Sequence, residues 1–96
     1  MNKRDTNFSV SVIIPTYYRY KYLSDLLEML SQQTFNDFEV IVPDQTPESD
    51  RPHDFYKKFN NKINLKVIYI EEPSLTRPRN IAVESANGEV LLFLDD

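Results

Sequence analysis

The sequence has no cysteine and no tryptophan, and only one histidine and one glycine. Without cysteine there are no disulfides, cysteine-ligated zinc sites or thiol nucleophiles. The single histidine, His53, sits among polar residues, which argues against a histidine-rich metal site and a His-based triad. The single glycine, Gly88, excludes a P-loop or a dinucleotide-binding turn, because both need several glycines to bring backbone close to phosphate. A nucleotide bound here would be held without a glycine cradle. No apolar run approaches the roughly 18 residues of a membrane span. Residues 1–7 are polar and lack the apolar core of a signal peptide, so a cytoplasmic location is expected, with the parent protein at most at the cytoplasmic face of a membrane. The net charge is −4 with scattered basic residues, which argues against a protein built to grip nucleic acid.

What is present suits one small α/β domain. The 96 residues are 41% hydrophobic, and a chain of this length buries roughly two-thirds of its unfolded surface. Residues 8–14 alternate and then turn continuously apolar, predicting a strand that ends at Pro15. Leu23, Leu26, Leu27 and Leu30 have the spacing of an amphipathic helix over about 20–33. Residues 38–42 predict a second strand stopped by Pro43, and 43–52 a loop. A short helix is expected over 53–60, with Phe55, Tyr56 and Phe59 as its apolar side, then a third strand over 65–70. Ser74 or Thr76 can cap a third helix that tolerates Pro78 in its first turn. Its packing face would be Ile81, Ala82, Ser85 and Ala86, and Gly88 would be its left-handed terminator. Residues 89–94 predict a fourth strand as a buried core run. The order β-α-β-α-β-α-β implies a Rossmann-like, mostly parallel sheet with helices on both faces.

In such sheets ligands bind outside the carboxyl ends of the strands. Those ends collect Pro15, Thr16, Tyr17 and Arg19 after the first strand and Asp44 after the second. Glu71 and Glu72 follow the third, feeding Arg77 and Arg79, and Asp95-Asp96 follow the fourth. An aromatic can cover a base, and a carboxylate can accept from a base N–H or ribose hydroxyls. An arginine near a helix start, unfavourable against the helix dipole unless an anion is present, can meet a diphosphate. An acidic pair on a rigid strand end can hold a hard divalent cation. Tyr20 and Tyr22 are expected to pack around the first helix.

Three blocks in this order resemble the opening of family-two glycosyltransferases with the GT-A fold. They are Val10-Ser11-Val12-Ile13-Ile14-Pro15-Thr16-Tyr17 with Arg19; Gln33-Thr34-Phe35 leading to Phe38-Glu39-Val40-Ile41-Val42-x-Asp44; and Ser74-Leu75-Thr76-Arg77-x-Arg79-Asn80-Ile81 with Ala86-x-Gly88-Glu89 and Phe93-Leu94-Asp95-Asp96. The resemblance spans nearly the whole chain. It implies sugar transfer, with inversion, from a nucleotide-diphospho-sugar to a sugar, lipid or polysaccharide acceptor. By the same likeness Thr16 and Tyr17 line the base and ribose pocket, Asp44 contacts the base, and Arg79 and Arg77 approach base or diphosphate. Asp95 and Asp96 would open the Asp-x-Asp element that holds ribose and Mg²⁺ or Mn²⁺. The chain departs from the family pattern in several places. Tyr18 stands where Asn is usual, Asp44-Gln45-Thr46 replaces Asp-Asp-Gly-Ser, and Pro78 replaces a small residue.

The third acid of that element, the acceptor half and the catalytic base are expected beyond residue 96. Residues 1–96 would then be a truncated donor-binding domain, inactive by itself, with weak or no metal binding. It would expose an apolar strand edge at 89–94 prone to self-association. Two other readings compete: a non-catalytic nucleotide-binding fragment, and a receiver-like regulatory module. A receiver needs its acidic pair after the first strand, where this chain has Pro-Thr-Tyr.

Overall fold

The structure, a computed structural model, describes residues 8–71 and 77–94. Four parallel strands form one sheet: β1 (Phe8–Ile13), β2 (Phe38–Asp44), β3 (Leu65–Tyr69) and β4 (Gly88–Phe93), in the spatial order β3-β2-β1-β4. Helix α1 (Tyr20–Gln32) connects β1 to β2, and α2 (Arg77–Ser85) precedes β4. The α/β class and parallel sheet are as expected, with one helix on each face.

The pleat divides the core in two. Val12, Ile14, Val40 and Val42 point to the α1 side, where they meet Leu23, Leu27, Leu30 and Phe59. Ile13 and Ile41 point the other way, against Ala82 of α2 and Ala86 just after it. Small residues on α2 let the helix lie close to the sheet. The side chains that were to form its packing face do so, with Ile81 and Ser85 half-buried at the margin.

Four expectations change. Pro43 does not stop the second strand: β2 continues to Asp44, with Pro43 opposite Ile68 and Asp44 opposite Tyr69. The ladder toward β1 runs from Ile14 N to Ile41 O and from Thr16 N to Pro43 O. The missing proline N–H therefore costs one bond opposite Ile14, where β1 is already ending. Residues 53–60 form no α-helix. They contain turns and the 3₁₀ segment Lys57–Phe59, preceded by another at Glu48–Asp50. Asp54 adopts φ 61°, a left-handed conformation that Asp tolerates but a helix cannot contain. The aromatics still pack as expected, with Phe55 and Tyr56 against the core and Phe59 buried within it.

Gly88 is not a left-handed terminator, because no glycine has positive φ. It opens β4 beside β1, and a Cβ there would lie 2.4 Å from Ser11 N and 2.6 Å from Val10 C. Its requirement is space. Lastly, β4 is not a buried core run but the exposed apolar edge that was also expected: it lies at the sheet edge, Val90 is 58% exposed, and Leu91 and Leu92 are exposed as well. An edge position leaves one side of the strand unpaired, and only its end, Phe93, packs against the α2 side of the core. The proposed caps Ser74 and Thr76 lie outside the described residues.

Candidate nucleotide-binding rim

The carboxyl ends of β1 and β2 are stitched together just past the regular strands. Thr16 and Asp44 form a parallel bridge; Thr16 N donates to Pro43 O at 3.0 Å and Gln45 N to Thr16 O at 2.9 Å. Ile70 N donates to Asp44 O at 2.9 Å, and Leu94 N to Ile13 O at 2.9 Å. All four strand ends therefore reach one rim.

Asp44 is fully buried. Its Oδ1 accepts from Thr46 N at 2.9 Å, and its Oδ2 accepts the hydroxyls of Tyr56 at 2.7 Å and Tyr20 at 2.8 Å. Burial first, then the bond to the Asp44 carboxylate, pushes the Tyr56 phenol well above its usual range. Burial does the same for Tyr20 to a smaller extent. Tyr20 is thus more than helix packing, Thr46 takes its place at the strand end, and Tyr56, expected only on the apolar side of a short helix, belongs to the rim as well. Two tyrosines near a strand-end acid were visible in the sequence, but nothing in their spacing revealed a shared oxygen.

The first loop is built on Thr46. Thr46 Oγ1 accepts from Tyr18 N at 2.9 Å, and Tyr18 has φ 65°. This left-handed region is one that Asn adopts more readily than Tyr. The Tyr18 hydroxyl donates to Asp50, and that bond first of all pushes its phenol up to about 12. Tyr17 packs edge-on against Tyr18 at 4.8 Å, and each is 47% exposed. Pro15 is half-buried, and Arg19 is exposed at the start of α1, its guanidinium 5.6 Å from the Tyr22 ring. Thr16 is buried, and among the described residues its hydroxyl has no hydrogen-bond partner.

Arg51, a residue the sequence reading passed over, straps the loop after β2 to the end of β3. Its Nε donates to Thr46 O at 3.0 Å and its guanidinium lies 4.1 Å over the Tyr69 ring. Arg77 joins Tyr69, Ile70, Glu71 and Ile81 around a cavity of about 470 Å³. Arg79 lies 4.4 Å over the ring of Phe93, which puts it beside the end of β4. Asp95, Asp96 and Glu72 lie outside the described residues. Among the described residues no three acids or histidines gather as a metal site, and no helix is long and apolar enough to cross a membrane.

This rim, at the carboxyl ends of a parallel sheet, coincides with a family match. The sequence profile of glycosyl transferase family 2 matches residues 11–96. The chain belongs to that family. Among its relatives is poly(ribitol-phosphate) beta-N-acetylglucosaminyltransferase TarS of Staphylococcus aureus, 43% identical over 89 residues, covering 88% of this chain and 15% of the relative. The crystal structure of S. aureus TarS 1–349 in complex with UDP-GlcNAc superposes with a TM-score of 0.81 at 41% identity, covering 92% of this chain and 26% of that one. A mannosyltransferase from Pyrobaculum calidifontis, in complex with GDP-Man and Mn²⁺, shares the fold at 22% identity and a TM-score of 0.72, covering 95% of this chain and 28% of its own. The family-2 chain described here thus spans a small part of each relative's length.

Proposed function

We propose that the protein transfers a sugar from a UDP-sugar, of the UDP-N-acetylglucosamine type, to an acceptor bound outside residues 1–96. The observation that carries this reading is the junction of Thr16 and Asp44 within a family-2 domain whose relative TarS is known in complex with UDP-GlcNAc. The unpartnered buried hydroxyl of Thr16 supports it further, since an orphaned polar group costs about 1–3 kcal/mol unless a ligand satisfies it.

In this reading Pro15, Thr16, Tyr17 and Arg19 line the base and ribose, and Arg77 and Arg79 meet the diphosphate at the start of α2. Asp44 forms the floor. Because both of its oxygens are engaged, it reaches a base only where Tyr20 or Tyr56 yields. Asp95 and Asp96, following β4, offer the hard oxygen donors that suit Mg²⁺ or Mn²⁺. A cation there would neutralise the leaving diphosphate. Inversion at the anomeric carbon and an acid base outside this span complete the proposal. Residues 1–96 by themselves would bind donor without turnover.

Calorimetry with UDP, UDP-N-acetylglucosamine and GDP in Mn²⁺ tests this. Saturable binding of the two uridine ligands is expected. A folded protein that binds none, or binds GDP alone, overturns the assignment. Self-association through the exposed edge of β4 belongs to the same reading of a partial domain, and a monomer at every concentration in light scattering would contradict it.

A further inference from the structure

A second cavity of about 470 Å³ lies at the opposite end of the sheet, walled by the end of α1, the connection to β2 and the segment 60–64 that leads into β3. Gln33, Asn36, Asn60, Asn61 and Asn64 stand around it with Phe35. Each carboxamide carries two donors and an acceptor. Among the described residues, none of these five side chains bonds to another protein group. Phe35 is half exposed, and its ring lies nearly parallel to that of buried Phe38, at 6.2 Å and 13°. Phe35 thus brings a half-exposed ring, packed on one neighbour, to the cavity lining.

The charges decide the class of ligand. Lys62 is the one ionisable residue of the lining, and its ammonium lies 3.9 Å from the Glu28 carboxylate. The helix that reaches the cavity presents its C-terminal end, which carries partial negative charge and disfavours phosphates and carboxylates. A purely apolar ligand would strip water from five carboxamides without replacing their hydrogen bonds. A neutral pyranose satisfies both conditions: its C–H face packs on the aromatic ring, and its hydroxyls exchange hydrogen bonds with the amides.

We propose that this cavity binds a pyranose unit of a neutral saccharide. It faces away from the nucleotide rim, so the bound unit is not the transferred sugar. The site holds a carbohydrate chain against the domain and does not react with it. This inference stands independently of the donor assignment.

The test is a ¹H–¹⁵N NMR titration of the 96-residue chain with methyl β-glucoside and with N-acetylglucosamine, using sorbitol as an acyclic control. Saturable shifts are expected in the side-chain amides of Asn36, Asn60, Asn61 and Asn64 and in backbone residues 60–64. The dissociation constant should be on the order of 1–10 mM, the scale of a small ligand in an open polar site. Phe35→Ala should weaken binding at least tenfold. Asn61→Asp, at an exposed position, should weaken it severalfold with the spectrum otherwise unchanged, which keeps the test valid if Phe35→Ala perturbs packing. Three results would overturn the proposal: no saturable shift, equal shifts with sorbitol, or shifts confined to residues 16–19, 44–46 and 77–79.

Discussion

Strand β2 buries two carboxylates, Glu39 near its start and Asp44 at its end, on opposite faces of the sheet. Glu39 is 4% exposed, and its Oε2 accepts from Ser11 Oγ and Asn87 N, both at 2.6 Å. Ser11 Oγ in turn accepts from Gly88 N at 2.7 Å. This network joins β1, β2 and the start of β4 through one short hydroxyl and two backbone amides, none of which can swing away. Asp44 is equally buried, but two of its three donors are phenols at the ends of long side chains, one at the start of α1 and one in the irregular segment after β2. A buried carboxylate must keep its hydrogen bonds. At Glu39 the donors are fixed by the sheet. At Asp44 they can be exchanged for a ligand without moving a strand. One end of the strand is therefore locked by the sheet, and the other, held by side chains that can rotate, is the end proposed to meet the ligand.

The largest expected effect breaks the fixed end. Gly88→Ala would drive a methyl group into backbone atoms of Val10 and Ser11, which no rotamer can relieve. A loss of about 3 kcal/mol or more in urea denaturation is expected, with failure to fold as the extreme. A loss under about 1 kcal/mol would mean that β4 can slide and the network is not rigid.

A smaller loss tests the exchangeable end. Tyr56→Phe removes a hydrogen bond to a carboxylate and should cost about 1–2 kcal/mol near neutral pH. The pH dependence gives a second readout. The unfolded phenol titrates near 10.0 and the folded one well above it, so above that pH the unfolded chain has lost a proton that the folded chain keeps. The stabilisation is complete below about pH 10 and is lost as pH rises toward the folded value. Wild-type stability should thus fall more steeply than that of Tyr56→Phe between about pH 9 and pH 11. Parallel curves would show that Tyr56 does not shield its proton.

The smallest effect on stability distinguishes ligand from scaffold. Thr16→Val replaces an unpartnered buried hydroxyl by a methyl group of similar shape. Without ligand, stability should rise by about 1 kcal/mol, while UDP affinity falls about five- to tenfold, near 1 kcal/mol. Loss of stability with unchanged affinity would assign the hydroxyl to the fold.

Much of the architecture was legible because it rests on local patterns. The leucines at 23, 27 and 30 place α1, and the apolar runs place β1 and β3. The single glycine rules out the usual phosphate loops. The rim positions of Thr16, Tyr17 and Asp44 follow from the rule that parallel sheets bind at their carboxyl ends. The misreadings occur where context outside the local window decides. Pro43 is accepted inside β2 because the bond it forfeits falls where β1 ends. The aromatics 55, 56 and 59 suggest a helix, but Asp54 turns left-handed and the rings pack from irregular chain. The apolar run 90–92 reads as core, yet its place at the sheet edge leaves it exposed.

The sequence by itself determined the alternation of strands and helices, the parallel sheet and the rim to which candidate ligand groups belong. These depend on periodicity and composition, which act over a few residues. Only the tertiary structure decided which groups share an atom: that Tyr20 and Tyr56 close over Asp44, that Gly88 is needed for room beside Ser11, and that Thr16 is left with an unmet hydroxyl. Such facts arise where segments from 12 to 77 residues apart are brought to hydrogen-bond distance, and hydrogen bonds are set by angstroms that no residue pattern encodes.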